Sequence, residues 1–361
     1  MREPLFNKIL RAPLSFTKED ELEARKYFTF EDIRELMRRI YNLNEAALLE
    51  ISDASSGLMG WANARGHQHR LKKYRKKIKK GHRMGSGAKG NKVILAEGDS
   101  WFLFPYLIRE IIDWLRKLDD RNAIYSIAYA GDWLTNIIYE GKYIEELDVH
   151  QPDAFLISGG GNDLLGDTKL AVMLRKPDAL ESPSNNPKDY IRTDFYSFVL
   201  TIKIMYFLIF DSIKGSSKFD QMTIITQGYD YAFPRRPKFQ WSRPLSFLSG
   251  IYGSGEWLAE PMDLIGIPDE RTGAEYDTLR RDIIKYMIDA INEMFIDVGT
   301  HYTNVFHIDC RGVAPLVKDW FDEIHLKKKR FKQIAQVYNK IIHTDLSQLN
   351  QKVFKVVDEA R

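Results

Sequence analysis

The sequence predicts an α/β fold: a five-stranded parallel sheet covered by helices on both faces, with a helical extension ahead of it. Three observations predict this. Short apolar runs at 93–96, 124–128, 154–158, 222–226 and 305–309 read as buried strands. Helical stretches near 102–118, 133–147, 190–213 and 275–297 separate them, and a last one follows near 328–346. Strands alternating with helices in this way build a parallel sheet buried on both sides. Residues 1–64 carry helix signals instead. The 361 residues, 44% of them hydrophobic, are ample for one large domain with an accessory piece.

In chain order, the helical extension comes first. Thr17 with Asp20, and Thr29 with Asp32, have the spacing of a capping box. After the second pair, Ile33, Leu36, Met37, Ile40 and Tyr41 fall on one helical face. Asn44 is placed to cap a further helix through Ala46, Leu48 and Leu49. None of these residues points to chemistry, and the segment reads as a helical unit packing on the main domain or on a partner.

Residues 65–91 form a basic helix or linker. No Asp or Glu occurs from Ala54 to Ala96, while Arg65 to Lys92 holds twelve Lys or Arg. Removing those twelve from the formal charge of +3 leaves −9 for the rest of the chain. Leu71, Tyr74 and Ile78 make a narrow apolar stripe within the block. The block is either a solvated helix and linker or a contact for an anionic membrane, a nucleic acid or an acidic protein surface. Gly85-Ser86-Gly87-Ala88-Lys89-Gly90 matches G-x-G-x-x-G, but a basic helix precedes it and a strand follows. That is the reverse of the dinucleotide-binding context.

The remaining domain, 92–361, has two long loops, at about 165–189 and 228–273, the second rich in aromatic residues. These loops are either pocket walls for an acyl or sugar group or small cores of their own. Between Asp194 and Asp211 lie 16 almost wholly apolar residues with Lys203 in the middle. A membrane span needs about 20, so a buried helix is expected and no integral membrane segment, with a substrate-facing or interfacial helix as the alternative. A single cysteine, Cys310, excludes an intrachain disulfide, and Met1-Arg2-Glu3-Pro4 lacks the apolar core of a secretory signal. A cytoplasmic location is the expectation.

The first strand ends in Gly98-Asp99-Ser100-Trp101. A tight turn there lifts a hydroxyl to the carboxyl end of the sheet, where open α/β folds place their sites. A serine nucleophile needs a base, a carboxylate to orient that base, and donors for the oxyanion. Asp322-Glu323-Ile324-His325 follows the last strand, so one loop can present both Asp322 and His325. Ala130-Gly131-Asp132 follows the second strand and Gly159-Gly160-Gly161-Asn162-Asp163 the third. Gly131 lets a backbone N–H approach a substrate oxygen, and Asn162 can donate through its amide. His301, His307 and Asp309 lack the partners of a metal site, so no metal or cofactor is expected.

These blocks, in this order, resemble those of the SGNH hydrolase superfamily, the GDSL-type esterases and lipases. Gly98-Asp99-Ser100, Gly131, Gly160-Gly161-Asn162-Asp163 and Asp322-Glu323-Ile324-His325 are similar to its four blocks, over roughly residues 92–346. The resemblance implies a three-layer α/β/α sandwich of flavodoxin-like type. It implies Ser100 as nucleophile, His325 as general base and acid, and Asp322 as its orienter. The Ser100 and Gly131 backbone N–H groups with the Asn162 amide would form the oxyanion hole. The activity implied is metal-free hydrolysis of carboxylic esters of lipids, acylated sugars or small acyl compounds. Trp101 stands where the family often has a smaller residue and becomes a substrate-binding candidate. Tyr129-Ala130-Gly131 lacks the Asn often found two residues before that glycine. The alternative function is a catalytically weak module of this fold that docks an anionic membrane or nucleic acid through its basic segment.

Overall fold

In the computed structural model, residues 2–42, 57–83, 91–104, 108–165, 169–180, 184–234, 257–269 and 278–356 are described, with side chains of the helix at 57–83 taken from 60 to 79. The apolar runs become β1 (Lys92–Gly98), β2 (Asn122–Ser126), β3 (Ala154–Ser158), β4 (Thr223–Gln227) and β5 (Val305–Asp309). A sixth strand, β6 (Val353–Lys355), pairs with β5. All pairings are parallel, in the order β2-β1-β3-β4-β5-β6. The first five follow the flavodoxin-like order. The expected five strands are thus corrected to six. Three residues at the sheet edge, only one of them buried, are too few to show a period.

Helices flank the sheet. Ile111–Leu118 packs with Lys328–His343, and Thr193–Lys214 packs with Leu279–Thr300. The expected helix near 102–118 begins only at Ile111, because Glu110 accepts from the amides of Ile112 and Asp113 and starts the helix there. The stretch near 133–147 divides into Leu134–Glu140 and Lys142–His150 at Gly141, whose φ is +60°. Thr193–Lys214 is long and apolar enough to cross a membrane by length and composition, and twelve of its residues are buried inside the protein. Its one mid-helix cation, Lys203, is met by Glu21 and Asp297.

The N-terminal helices Arg2–Arg11, Lys18–Tyr27 and Phe30–Tyr41 pack on that apolar helix. Both capping boxes form: Thr17 and Asp20 exchange bonds of 2.7 and 3.2 Å, Thr29 and Asp32 of 2.7 and 3.4 Å. Ile33, Leu36, Met37, Ile40 and Tyr41 are all buried. Arg25 clamps Asp211 at 2.8 and 3.1 Å. The expected helix after Asn44 and the glycine-rich 85–90 lie outside the described residues.

The basic block is largely helical. One helix, Gly57–Arg83, runs straight through the expected border at 64 and docks on β2. Its docked face carries Asn63, Arg70 and Tyr74, all buried. Arg70 is held by Glu110, by the Phe102 carbonyl at 2.6 Å and by the Ser126 hydroxyl at 3.1 Å. Tyr74 packs edge-on against Tyr125 and His150. The flanking Lys73, Lys76 and Lys77 border an open cavity with Arg109, Arg116 and Lys117.

Candidate active site

β1 ends against β3, with Gly98 in register with Ser158. A β-carbon at Gly98 would sit 2.5 Å from the Ser158 carbonyl oxygen, so only glycine fits there. The Asp99 amide donates to that same carbonyl at 3.1 Å, and the Asp99 carbonyl accepts from Phe102 and Leu103 at 3.0 and 3.1 Å. The chain therefore turns tightly at Ser100. The Asp99 side chain, buried, accepts from Trp101 N–H at 3.0 Å, the Ser158 hydroxyl at 3.1 Å and the Tyr229 hydroxyl at 2.5 Å. Burial pushes its carboxyl above the ordinary range, and the three donors oppose that push.

The loop after β5 brings the second group. Phe321 N–H donates to the His325 carbonyl at 2.8 Å and closes the loop between them. One oxygen of Asp322 accepts from the Ile324 and His325 amides at 2.9 and 2.7 Å. The other lies 2.7 Å from His325 Nδ1. His325 Nε2 lies 2.7 Å from Ser100 Oγ. The imidazole is 3% exposed, with the Phe104 ring 4.3 Å away and Trp257 edge-on at 5.8 Å. Trp101 braces this loop: its Nε1–H donates to the Ile324 carbonyl at 3.1 Å, and its ring lies between Tyr229 and Phe331. Glu323, fully buried, accepts from the Leu258 and Ala259 amides at 2.7 and 3.2 Å and ties down the segment that carries Trp257.

Two further turns lie beside Ser100. The Tyr129 amide donates to the Gly98 carbonyl at 2.9 Å, which sets the Gly131 turn next to the Ser100 turn. Gly131 has φ +82°, a conformation that favours glycine. The Asn162 amide donates to the Asp132 carbonyl at 2.7 Å. Asp163, buried, accepts from Leu134 N–H at 2.7 Å and from Thr135 at its amide (3.2 Å) and hydroxyl (2.7 Å). It thereby caps the helix that follows Gly131. The Gly161 amide donates to Tyr229 at 3.1 Å, so Tyr229 joins this turn to Asp99. Among the described residues, the Ser100 and Gly131 amides engage no acceptor.

Ser100, Trp101 and Asn162 line one cavity, and Gly131 is not among its lining residues. The cavity wall is apolar. Ile284, Met287, Ile288 and Ile291 contribute one stripe of the helix Leu279–Thr300, joined by Leu164 and Leu258. Sequence reasoning missed Asn63, whose amide pairs with Ala130, and the roles of Tyr229 and Glu323. Their position in the blocks offered a signal for Glu323. Tyr229 follows β4 by two residues, the place where a side chain reaches the carboxyl edge. Nothing local to Asn63 marks it.

No protein-family model matches the sequence, and no curated protein matches it. Among solved structures, it is similar to a carbohydrate acetylesterase family member from Sinorhizobium meliloti at 12% identity and a TM-score of 0.39, over 70% of this chain and 100% of that one. It is similar to a Clostridium thermocellum family 3 carbohydrate esterase at 13% and 0.37, over 69% and 94% of the two chains. For the lipase/acylhydrolase from Enterococcus faecalis the values are 14% and 0.36, over 70% and 95%. At this identity and these scores the likenesses decide neither substrate nor chemistry.

Proposed function

We propose that this chain is a serine ester hydrolase of the SGNH type, acting on an ester with an apolar acyl group. The observation that carries the reading is the unbroken line from Ser100 Oγ through His325 Nε2 and Nδ1 to Asp322, each link 2.7 Å long. A carboxylate on Nδ1 holds the proton there and leaves Nε2 as the acceptor for the serine proton. Ser100 Oγ attacks the acyl carbonyl as His325 takes its proton. The carbonyl oxygen gains charge, met by the N–H groups of Ser100 and Gly131 and by Asn162. His325 returns the proton to the leaving alcohol. Water, activated by the same imidazole, then frees the acid from the acyl-serine. The apolar wall favours an acyl chain over a sugar on that side of the ester, since a sugar would leave hydroxyls unpaired against isoleucine and methionine.

The test is active-site labelling. A fluorophosphonate is expected to label the wild-type chain and to fail with Ser100→Ala, and p-nitrophenyl esters are expected to turn over only in the former. A folded wild-type chain that neither labels nor turns over any ester in a panel from acetyl to decanoyl overturns the reading.

A further inference from the structure

The helix Gly57–Arg83 lies outside the four blocks, yet it ends two side chains on the turns that hold the site. Asn63 is fully buried, its Nδ2 donating to the Ala130 carbonyl at 3.0 Å and its Oδ1 accepting from the Ala130 amide at 3.1 Å. Seven residues on, Arg70 holds the carbonyl of Phe102, two residues past Ser100. The Ala130 carbonyl and the Gly131 N–H belong to one planar trans peptide. They therefore point in opposite directions. A bond that fixes the carbonyl aims the N–H. Gly131 has no side chain to anchor itself, and at its φ of +82° a β-carbon would touch nothing within 4 Å. The residues on either side of it are held, Ala130 through its carbonyl by Asn63 and Asp132 through its carbonyl by Asn162.

We propose that Asn63 is a positioning residue for the oxyanion hole. It holds the Ala130–Gly131 peptide so that the Gly131 N–H meets the developing oxyanion. The helix that carries it is then part of the catalytic unit and not an accessory. The inference rests on the ester-hydrolase reading above. It also supplies what Tyr129-Ala130-Gly131 lacks locally: an asparagine at this turn, brought from a residue 67 positions upstream.

Asn63→Ala removes both bonds, and Asn63→Asp keeps volume and the acceptor for Ala130 N–H while losing the donor to the carbonyl. Gln68→Ala, exposed on the same helix, is the control. With a short-chain p-nitrophenyl ester, both Asn63 variants are expected to lose about 10- to 100-fold in kcat with KM within about threefold. Affinity for a trifluoromethyl ketone, which forms a tetrahedral oxyanion on Ser100, should fall in parallel with kcat/KM, and Gln68→Ala should match the wild type. Asn63→Asp stands in if Asn63→Ala does not fold, with cooperative melting as the check. A folded Asn63→Asp with wild-type kcat and ketone affinity overturns the inference while the hydrolase reading stands. A wild-type chain without turnover or labelling overturns the hydrolase reading itself.

Discussion

Asp322 shows how much one carboxylate does in this site. One oxygen takes two backbone N–H groups and shapes the loop, and the other faces His325 Nδ1. Asparagine can keep only one of these duties. With its oxygen on the backbone donors, its NH2 faces Nδ1 and forces the proton to Nε2, where it blocks transfer from Ser100. Asp322→Asn is therefore expected to keep the fold and lose roughly 10³–10⁴ in kcat. Steady-state kinetics alongside a thermal melt would check this, and a variant within tenfold of wild type would remove Asp322 from the relay. Asp99 and Asp163 work differently. Each spends its buried carboxylate on turn geometry, through three donors apiece, and neither is hydrogen-bonded to His325.

Among the elements, the helix Leu279–Thr300 bears most on the proposed substrate. Ile284, Met287, Ile288 and Ile291 recur at helical spacing, so one face supplies much of the apolar cavity wall, the proposed acyl site. Filling that wall shortens the space without touching Ser100, His325 or Asp322. Ile288→Trp is expected to move the preferred acyl chain toward acetyl and butyryl esters, raising their kcat/KM relative to octanoyl by about tenfold. A chain-length profile unchanged from wild type would place the acyl group elsewhere. The helix Thr193–Lys214 has the opposite character: its apolar residues are largely covered by protein, with the N-terminal helices and Leu279–Thr300 packed on it.

Across the whole molecule, the N-terminal helices share the core of the sheet domain. Ile9 offers its carbonyl to Ser197 at 2.6 Å, and Tyr41 donates to the Asp163 carbonyl at 2.5 Å, next to Asn162. A buried histidine on β5, one strand in from the β6 edge, is expected to set an acid limit. His307 on β5 lies between Thr226 and Asn292, stacked on Phe295, and burial pushes its pKa from 6.5 down to about 3. Below about pH 6.5 the unfolded chain binds a proton there that the folded chain refuses until about 3. Stability present above 6.5 is therefore lost through that window, at up to about 1.4 kcal/mol per pH unit. His307→Gln is expected to be less stable at pH 7 yet to show a shallower loss from pH 6.5 to 4. Urea unfolding at stepped pH would read this, and an unchanged slope would assign the acid limb to other groups.

By itself the sequence determined the strand–helix alternation, both capping boxes, the burial of the 195–210 run and the identity of Ser100, Asp322 and His325 as candidates. Each of these is local: a period, a cap, a residue placed just past a strand or a short motif in the loop after one. The tertiary structure decided the rest. β6 is too short to carry a period. The helix near 102–118 starts late because Glu110 caps it. Trp101, a candidate for substrate contact, also proves to be a brace on the His325 loop while lining the cavity. Asn63 reaches Ala130 across 67 residues and Arg70 reaches Phe102 across 32. Such bonds depend on how a helix docks against a sheet edge, and docking is set by packing over the whole surface rather than by any neighbouring residue.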